Sequence, residues 1–167
     1  MVRESAAGLC LLSMAGCSLI LDFSDGALGG DAGADAPYSQ AECDYKEPNN
    51  SLAAAAQITP ADTGPAAICA GSIEDHDFYR FTVAAGTTRV AVKLSYTFRR
   101  GGDLDLRLYD DAGAQLAQSV GFGDEELITC PGSAPVCPML GAGIYTFEVF
   151  PVAGSVNRYT FALTITP

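Results

Sequence analysis

The stretch Asp77–Val83, DFYRFTV, indicates the fold of this chain most clearly. Its residues Tyr79, Phe81 and Val83 are apolar, whereas the residues between them are polar. In a β-strand successive side chains point to opposite faces, so this period of two places the three apolar residues on one face. The stretch therefore predicts a strand with one buried and one polar face.

The same alternation recurs along the chain after Gly86, with glycine-rich turns between the segments. Shorter strands are expected at Ala67–Ile73, Gln115–Ser119 and Glu126–Thr129. About eight short strands and no long helix predict an all-β, antiparallel, jelly-roll-like β-sandwich. The run Ser51–Gln57 is expected to form one helical turn, capped by Asn50 or Ser51. The four further inward-facing sets are Val90, Val92, Leu94 and Tyr96; Leu104, Leu106 and Leu108; Tyr145, Phe147 and Val149; and Tyr159, Phe161, Leu163 and Ile165.

The N-terminus has the features of an export signal. The apolar stretch Ala6–Gly16 is too short to span a bilayer but has the length of a signal-peptide core. It ends in Met14-Ala15-Gly16-Cys17, which resembles a bacterial lipobox. We therefore predict a signal peptide over residues 1–16 and lipidation of Cys17; the alternative is a buried first helix. Ser18 resembles the sorting signal of outer-membrane lipoproteins, which implies a periplasmic or surface-exposed location.

Residues 17–43 read as a flexible acidic linker between the lipidated cysteine and one domain over residues 44–167. The linker is rich in Gly, Ala and Asp and cannot bury enough apolar surface to fold. The whole chain has a formal net charge of −11 and a sequence pI near 4.2. Nucleic-acid binding requires clustered Lys and Arg, so this charge argues against it.

Four cysteines remain after the signal peptide and Cys17 are set aside, and an exported domain uses such a set for two disulfides with three alternative pairings. We favour Cys130–Cys137, which closes a Pro/Gly loop, and hence Cys43–Cys69. Zinc binding is the alternative, but no CxxC pair is present.

Four segments in order resemble the bacterial pre-peptidase C-terminal domain: EPNNS, DHDFYRFTVAAGT, GGDLDLRLYDDAG and LGAGIYTFEVFPVAGSVNRYTFALTIT. The resemblance covers about Tyr45 to Thr166. It implies a β-sandwich that accompanies secreted peptidases or stands alone on bacterial surface proteins. Relatives include collagen-binding domains of secreted collagenases, some of which bind calcium.

The resemblance also implies a calcium site. In the calcium-binding relatives, acids and amides of the EPN segment and aspartates before the following strand ligate the ion. Tyr45 departs from that pattern, because those relatives carry a further acid there. A capped turn with solvated acids is the alternative. The corresponding candidates here are Glu47, Asn49, Asn50, Asp75 and Asp77.

Enzymatic sites are poorly supported by the sequence. Asp103 and Asp105 are spaced like calcium ligands, but an EF-hand loop needs glycine where Leu108 stands, so we expect a solvated acidic face. The single histidine, His76, lies between acids without a serine-nucleophile motif. The consecutive acids Asp124–Glu126 are expected to be exposed rather than a glycosidase pair.

The sequence thus predicts a monomeric, non-catalytic envelope lipoprotein. A lipid anchor holds it in the membrane, and calcium is the expected cofactor. The expected partner is a protein, a peptidase or an extracellular polymer, and no nucleic acid. The alternatives are a structural envelope protein without a ligand and a hydrolase.

Overall fold

The computed structural model describes residues 38–71, 75–132 and 137–167, which lie within one compact unit, Ala32–Pro167. The predicted signal peptide and Cys17 lie outside the described residues. Residues 38–43, which the sequence assigns to the linker, are part of the described fold. The Ala70 N–H donates to the Tyr38 hydroxyl at 3.0 Å, and Arg158 pairs with Glu42 at 2.7 Å.

Strands make up most of the regular secondary structure in the described residues, and they confirm the all-β prediction. The helical elements are short: α1 (Gln40–Cys43), a 3₁₀ helix (Leu52–Ala54) and α2 (Phe98–Gly101). No helix among the described residues is long and apolar enough to cross a membrane. The strands are β1 (Ala56–Gln57), β2 (Ala66–Ile68), β3 (Asp77–Val83), β4 (Arg89–Tyr96), β5 (Leu104–Asp110), β6 (Gln115–Ser119), β7 (Glu125–Cys130), β8 (Gly143–Pro151) and β9 (Asn157–Thr166).

Two sheets pack face to face. The five-stranded sheet has the order β1-β3-β8-β5-β6, and the four-stranded sheet has the order β2-β9-β4-β7. Every pairing is antiparallel except β1 with β3. The chain therefore crosses from the edge of one sheet, β6, to the edge of the other, β7, through residues 120–124, which we call the β6–β7 connection.

The core lies between the sheets and consists of the apolar sets that the alternation predicts. Tyr79, Phe81 and Phe147 are fully buried in the five-stranded sheet, and Phe161 packs on Tyr79 from the opposite sheet with ring centroids 4.8 Å apart. Burying each such aromatic side chain stabilises the fold by roughly 1.5–3 kcal/mol. The period of two thus identifies the core-facing side of each long strand, although Thr146, Glu148 and Phe150 on the other side of β8 are buried as well.

The predicted helical turn and the first predicted short strand are both shorter in the structure than in the prediction. Ser51 caps the 3₁₀ helix by accepting a hydrogen bond from the Ala54 N–H at 3.3 Å. The predicted helical turn ends earlier than Gln57, because Ala56 and Gln57 instead pair with β3 as β1. The strand expected over Ala67–Ile73 is shorter than predicted, and residues 72–73 lie outside the described residues. It ends at Ile68, because the Cys69 N–H turns to the Asp75 carboxylate at 2.8 Å.

Both favoured disulfides form. Cys43 bonds to Cys69 across 26 residues, and Cys130 bonds to Cys137 across 7. The first bond joins α1 to the residue that follows β2, which holds the N-terminal segment on the sandwich. Such bonds are typical of proteins in oxidising compartments outside the cytoplasm.

Candidate metal centre

Residues 46–50 form an arm that docks on the start of β3. The N–H of Phe78, the second residue of β3, donates to the Asn49 carbonyl at 3.0 Å. Lys46 adopts a left-handed backbone conformation with φ of 61°, and its ammonium pairs with Asp62 at 2.7 Å. The Tyr45 ring, which stands where calcium-binding relatives carry an acid, packs 6.4 Å from Phe161. The arm is therefore held at both ends.

Docking the arm brings three of the five predicted ligands together. Oxygen atoms of Glu47, Asp75 and Asp77 lie within 4.8 Å of one another. We call these three residues the arm cluster. Calcium binds oxygen at 2.3–2.6 Å, so two ligands of one ion lie up to about 5 Å apart. The spacing of the arm cluster is therefore compatible with a shared divalent cation.

Each carboxylate of the arm cluster is fixed through one oxygen. Glu47 Oε2 accepts the Asn49 N–H at 2.7 Å, Asp75 Oδ2 accepts the Cys69 N–H at 2.8 Å, and Asp77 Oδ2 accepts the Tyr159 hydroxyl. The His76 N–H also faces Asp75, and the Asn49 side chain faces Asp77; each lowers the pKa of the carboxyl group that it faces. These contacts orient the three side chains toward one another.

The two asparagines of the arm have different surroundings. Asn49 is completely buried, and neither its side-chain oxygen nor its nitrogen makes a hydrogen bond of ordinary geometry with the described residues. The group is nevertheless close enough to Asp77 to lower the pKa of that carboxyl. Asn50 is exposed, and its amide donates to Glu47 at 3.1 Å and accepts the His76 N–H at 3.3 Å. Asn49 is thus the better fourth ligand, while Asn50 positions its neighbours.

The electrostatics of the arm cluster favour a cation. Burial raises the pKa of Glu47, Asp75 and Asp77, and it raises that of Asp77 well above its usual range. The charges of Asp75 and Glu47 raise the pKa of Asp77 further, while the Tyr159 hydroxyl lowers it. The negative charge is therefore costly by itself, and a bound cation would offset that cost.

A second group of acids is buried at the edges of the two sheets. Asp103, Asp105 and Glu126, which we call the edge cluster, are only 6%, 6% and 4% exposed. The expectation of a solvated acidic face at Asp103 and Asp105 is therefore wrong, as is exposure of Glu126. The physical reason is that Gly121 of the β6–β7 connection lies against Asp105 and Glu126, while Asp103 contacts Tyr96 and Ser155. Asp124 and Glu125 are exposed as predicted.

His76 belongs to a network of polar side chains that the sequence did not reveal. Its Nδ1 atom lies 2.6 Å from the buried carboxylate of Glu148. The same carboxylate accepts hydrogen bonds from Tyr109 at 2.6 Å and Arg107 at 3.3 Å. The network joins the segment before β3 to β5 and β8. This arrangement gives His76 a structural role, in agreement with the sequence argument against a serine nucleophile.

Comparison with known proteins agrees with this architecture. The family model described as the bacterial pre-peptidase C-terminal domain matches residues 75–151. The solved pre-peptidase C-terminal domain of collagenase from Bacillus anthracis superimposes with a TM-score of 0.50. That match has 14% sequence identity and covers 65% of this chain and 92% of the collagenase domain, so it shows a shared fold. No curated protein matches the chain.

Proposed function

We propose that this chain, whose residues 75–151 are a bacterial pre-peptidase C-terminal domain, is a non-catalytic binding or accessory module that calcium stabilises. The observation that carries the proposal is the arm cluster beside the unpartnered Asn49 amide. Three carboxylate oxygens and one amide oxygen supply four of the six to eight oxygen ligands that calcium takes. Backbone carbonyls and water would supply the others.

The donor set distinguishes calcium from other metals. Zinc prefers nitrogen and sulfur ligands, and the arm cluster offers only oxygen. The single histidine of the chain, His76, has its Nδ1 atom 2.6 Å from Glu148 Oε1. Magnesium demands a smaller octahedral site and keeps more of its water. When bound, calcium would supply the positive charge that clamps the arm to the start of β3.

Thermal unfolding tests the calcium proposal. An ion that binds only the folded state adds RT ln(1 + [Ca]/Kd), about 2.7 kcal/mol at a hundredfold excess over Kd. We expect the Tm of the purified protein to be several degrees higher in millimolar calcium than in excess chelator. The double variant Asp75→Asn, Asp77→Asn should lose this difference, whereas Asp103→Asn should keep it. If the unmodified protein has the same Tm in calcium and in chelator, the calcium proposal is wrong and the arm is only a capped turn.

We also place the module at the bacterial envelope, anchored through an acylated Cys17. The lipobox-like sequence before Cys17 and the disulfide-stabilised domain support this location. Several acyl chains would hold the protein stably, since each buried CH₂ contributes about 0.8 kcal/mol. Cys17→Ala should abolish acylation and release the protein from the detergent phase. Continued partition of that variant with membrane lipoproteins would contradict the anchor.

The partner on this proposal is a protein, a peptidase acting in trans or an extracellular polymer. A pull-down from envelope extract, with the calcium-loaded protein as bait, should enrich the same partner reproducibly. A purely structural protein would enrich nothing. Incubation with casein and a glycan panel should give no turnover, and turnover that survives purification would contradict a non-catalytic role.

A further inference from the structure

We propose that the edge cluster, Asp103, Asp105 and Glu126, is a proton-operated latch for the β6–β7 connection. The latch is closed when Asp105 holds a proton and is loosened when Asp105 is ionised. It is separate from the arm cluster and does not depend on the calcium proposal.

The latch joins elements from both sheets. Asp103 and Asp105 lie just before and within β5 of the five-stranded sheet, and Glu126 lies in β7 of the four-stranded sheet. All three are at least nine-tenths buried. A change in their mutual repulsion therefore acts between the sheets, at the place where the chain crosses from one to the other.

Two hydroxyl groups bind the cluster to its surroundings. Tyr96 donates from β4 to Asp103 Oδ1 at 2.7 Å. Ser119, the last residue of β6, bonds Glu126 Oε2 and accepts the Leu127 N–H at 3.1 Å. Glu126 is therefore the point at which the end of β6 is tied to the start of β7.

Glycine lets the connection approach the acids closely. A Cβ atom at Gly121 would lie 3.1 Å from Glu126 Oε1, tighter than most side chains tolerate. The backbone N–H of Gly121 also lowers the pKa of both Asp105 and Glu126. One amide of the connection thus faces two acids, and its position depends on their charge.

The negative charge of the cluster is poorly compensated. Asp105 Oδ1 is buried and accepts no hydrogen bond from the described residues. Arg107, the cation that lowers the pKa of Asp105, bonds Glu148 and stacks 3.8 Å from the centre of the Phe150 ring. The neighbouring charged side chains on other elements make their hydrogen bonds and ion pairs with residues outside the edge cluster. Asp124 accepts the Phe98 N–H at 2.8 Å, and Glu125 pairs with Lys93 at the surface.

A proton fits this cluster better than a metal ion does. Among the described residues, the arm cluster is the group of three ligating side chains whose oxygens come within 4.8 Å, and the edge cluster does not reach that spacing. Burial and the charges of Asp103 and Glu126 raise the pKa of Asp105 to about 6, and burial raises that of Glu126. A proton needs only one carboxyl group, whereas a divalent ion needs several ligands at once.

The sign of the effect follows from the raised pKa. Asp105 binds its proton more tightly when the latch is closed than when it is exposed, where its pKa is near 3.9. The closed state is therefore favoured at low pH and loses that advantage as pH rises from about 4 through about 6. At neutral pH the three charges repel and the connection opens more often.

Opening moves two exposed apolar side chains. Phe122 is 91% exposed and Val120 is 54% exposed, and both belong to the β6–β7 connection. The pH of the surroundings would therefore change how rigidly these two side chains are displayed.

Amide hydrogen exchange tests the latch, with Gly121 and Leu127 as reporters and rates corrected for intrinsic exchange. Opening should increase about tenfold between pH 5 and pH 7.5, the factor that corresponds to one pKa unit. Asp105→Asn keeps the shape of the side chain without its charge and should make exchange independent of pH. Asp111→Asn removes an exposed charge from the β5–β6 turn and should behave like the unmodified protein.

Three results would overturn the latch: protection independent of pH in the unmodified protein, the same pH response in Asp105→Asn, or loss of that response in Asp111→Asn. If Asp105→Asn does not fold, a carboxyl NMR titration of the unmodified protein tests the latch instead. Titration of Asp105 near pH 4 would also contradict the latch. Calcium added at pH 7.5 to the Asp75→Asn, Asp77→Asn variant should change nothing. Increased protection there would mean that a metal, not a proton, neutralises the edge cluster.

Discussion

The arm cluster and the edge cluster contain the same chemistry, three carboxyl groups each, in different surroundings. In the arm cluster the oxygens lie within 4.8 Å, beside a buried amide without a partner. In the edge cluster the oxygens are farther apart. The Tyr96 hydroxyl is hydrogen-bonded to Asp103, and the Ser119 hydroxyl is hydrogen-bonded to Glu126. We therefore propose that spacing decides what offsets the buried charge: a divalent ion in the arm cluster and a proton in the edge cluster.

The two clusters are also electrically separate. The charges that raise the pKa of Asp77 are those of Asp75 and Glu47, whereas those that raise the pKa of Asp105 are those of Asp103 and Glu126. A substitution in one cluster should leave the response of the other intact. The comparison can therefore be tested with variants that affect one cluster at a time.

Removing a disulfide should give the largest effect. The chain-entropy estimate for the 26-residue Cys43–Cys69 loop is about 3.5 kcal/mol of unfolding free energy, and that for the 7-residue Cys130–Cys137 loop is about 2.5 kcal/mol. Because the Cys69 N–H fixes Asp75, the variant Cys43→Ser, Cys69→Ser should also weaken calcium binding. Denaturant unfolding and calcium titration measure the two effects. The control is Cys130→Ser, Cys137→Ser, which removes the other disulfide. Equal calcium affinity in the two double variants would show that the Cys43–Cys69 disulfide does not support the arm cluster.

Asn49→Ala should have the next largest effect, and on calcium rather than on the fold. Removing a ligating amide oxygen should weaken calcium binding about tenfold, or about 1.4 kcal/mol. Asn50→Ala is the matched control, since that amide is exposed and only positions Glu47 and the His76 backbone. Calorimetric titration of both variants measures the difference. A larger loss in Asn50→Ala would exchange the roles assigned to the two asparagines.

Tyr96→Phe should have a smaller effect, confined to the edge cluster. It removes the hydrogen bond to Asp103, and a typical loss is about 1 kcal/mol of unfolding free energy. Chemical denaturation at pH 7.5 measures this loss. The increase in Tm that calcium produces should be unchanged, and its disappearance would show that the two clusters are coupled.

The fold was predictable because burial in a sandwich follows a period of two, which the sequence displays directly. Tyr79, Phe81 and Phe147 are buried as that period requires. The short helix Phe98–Gly101 has no comparable signal, since four residues are too few to show a helical period. The β1 pairing was missed for a similar reason, because two residues carry no alternation.

The sites were predictable only in part, because they depend on which segments meet. The resemblance to a known family brought Glu47, Asp75 and Asp77 into one hypothesis, and the arm indeed brings them together. The edge cluster was missed because alternation places Asp105 on the outward face of β5. Nothing in the local sequence shows that the β6–β7 connection covers that face.

Direct calorimetric titration of calcium into the purified protein at pH 7.5 tests the central claim, that spacing reserves the arm cluster for a metal ion. We predict one ion per chain for the unmodified protein and for the Asp103→Asn, Asp105→Asn variant. The Asp75→Asn, Asp77→Asn variant should bind none. Two ions per chain, or one ion that is lost with Asp103 and Asp105 instead of Asp75 and Asp77, would contradict the account.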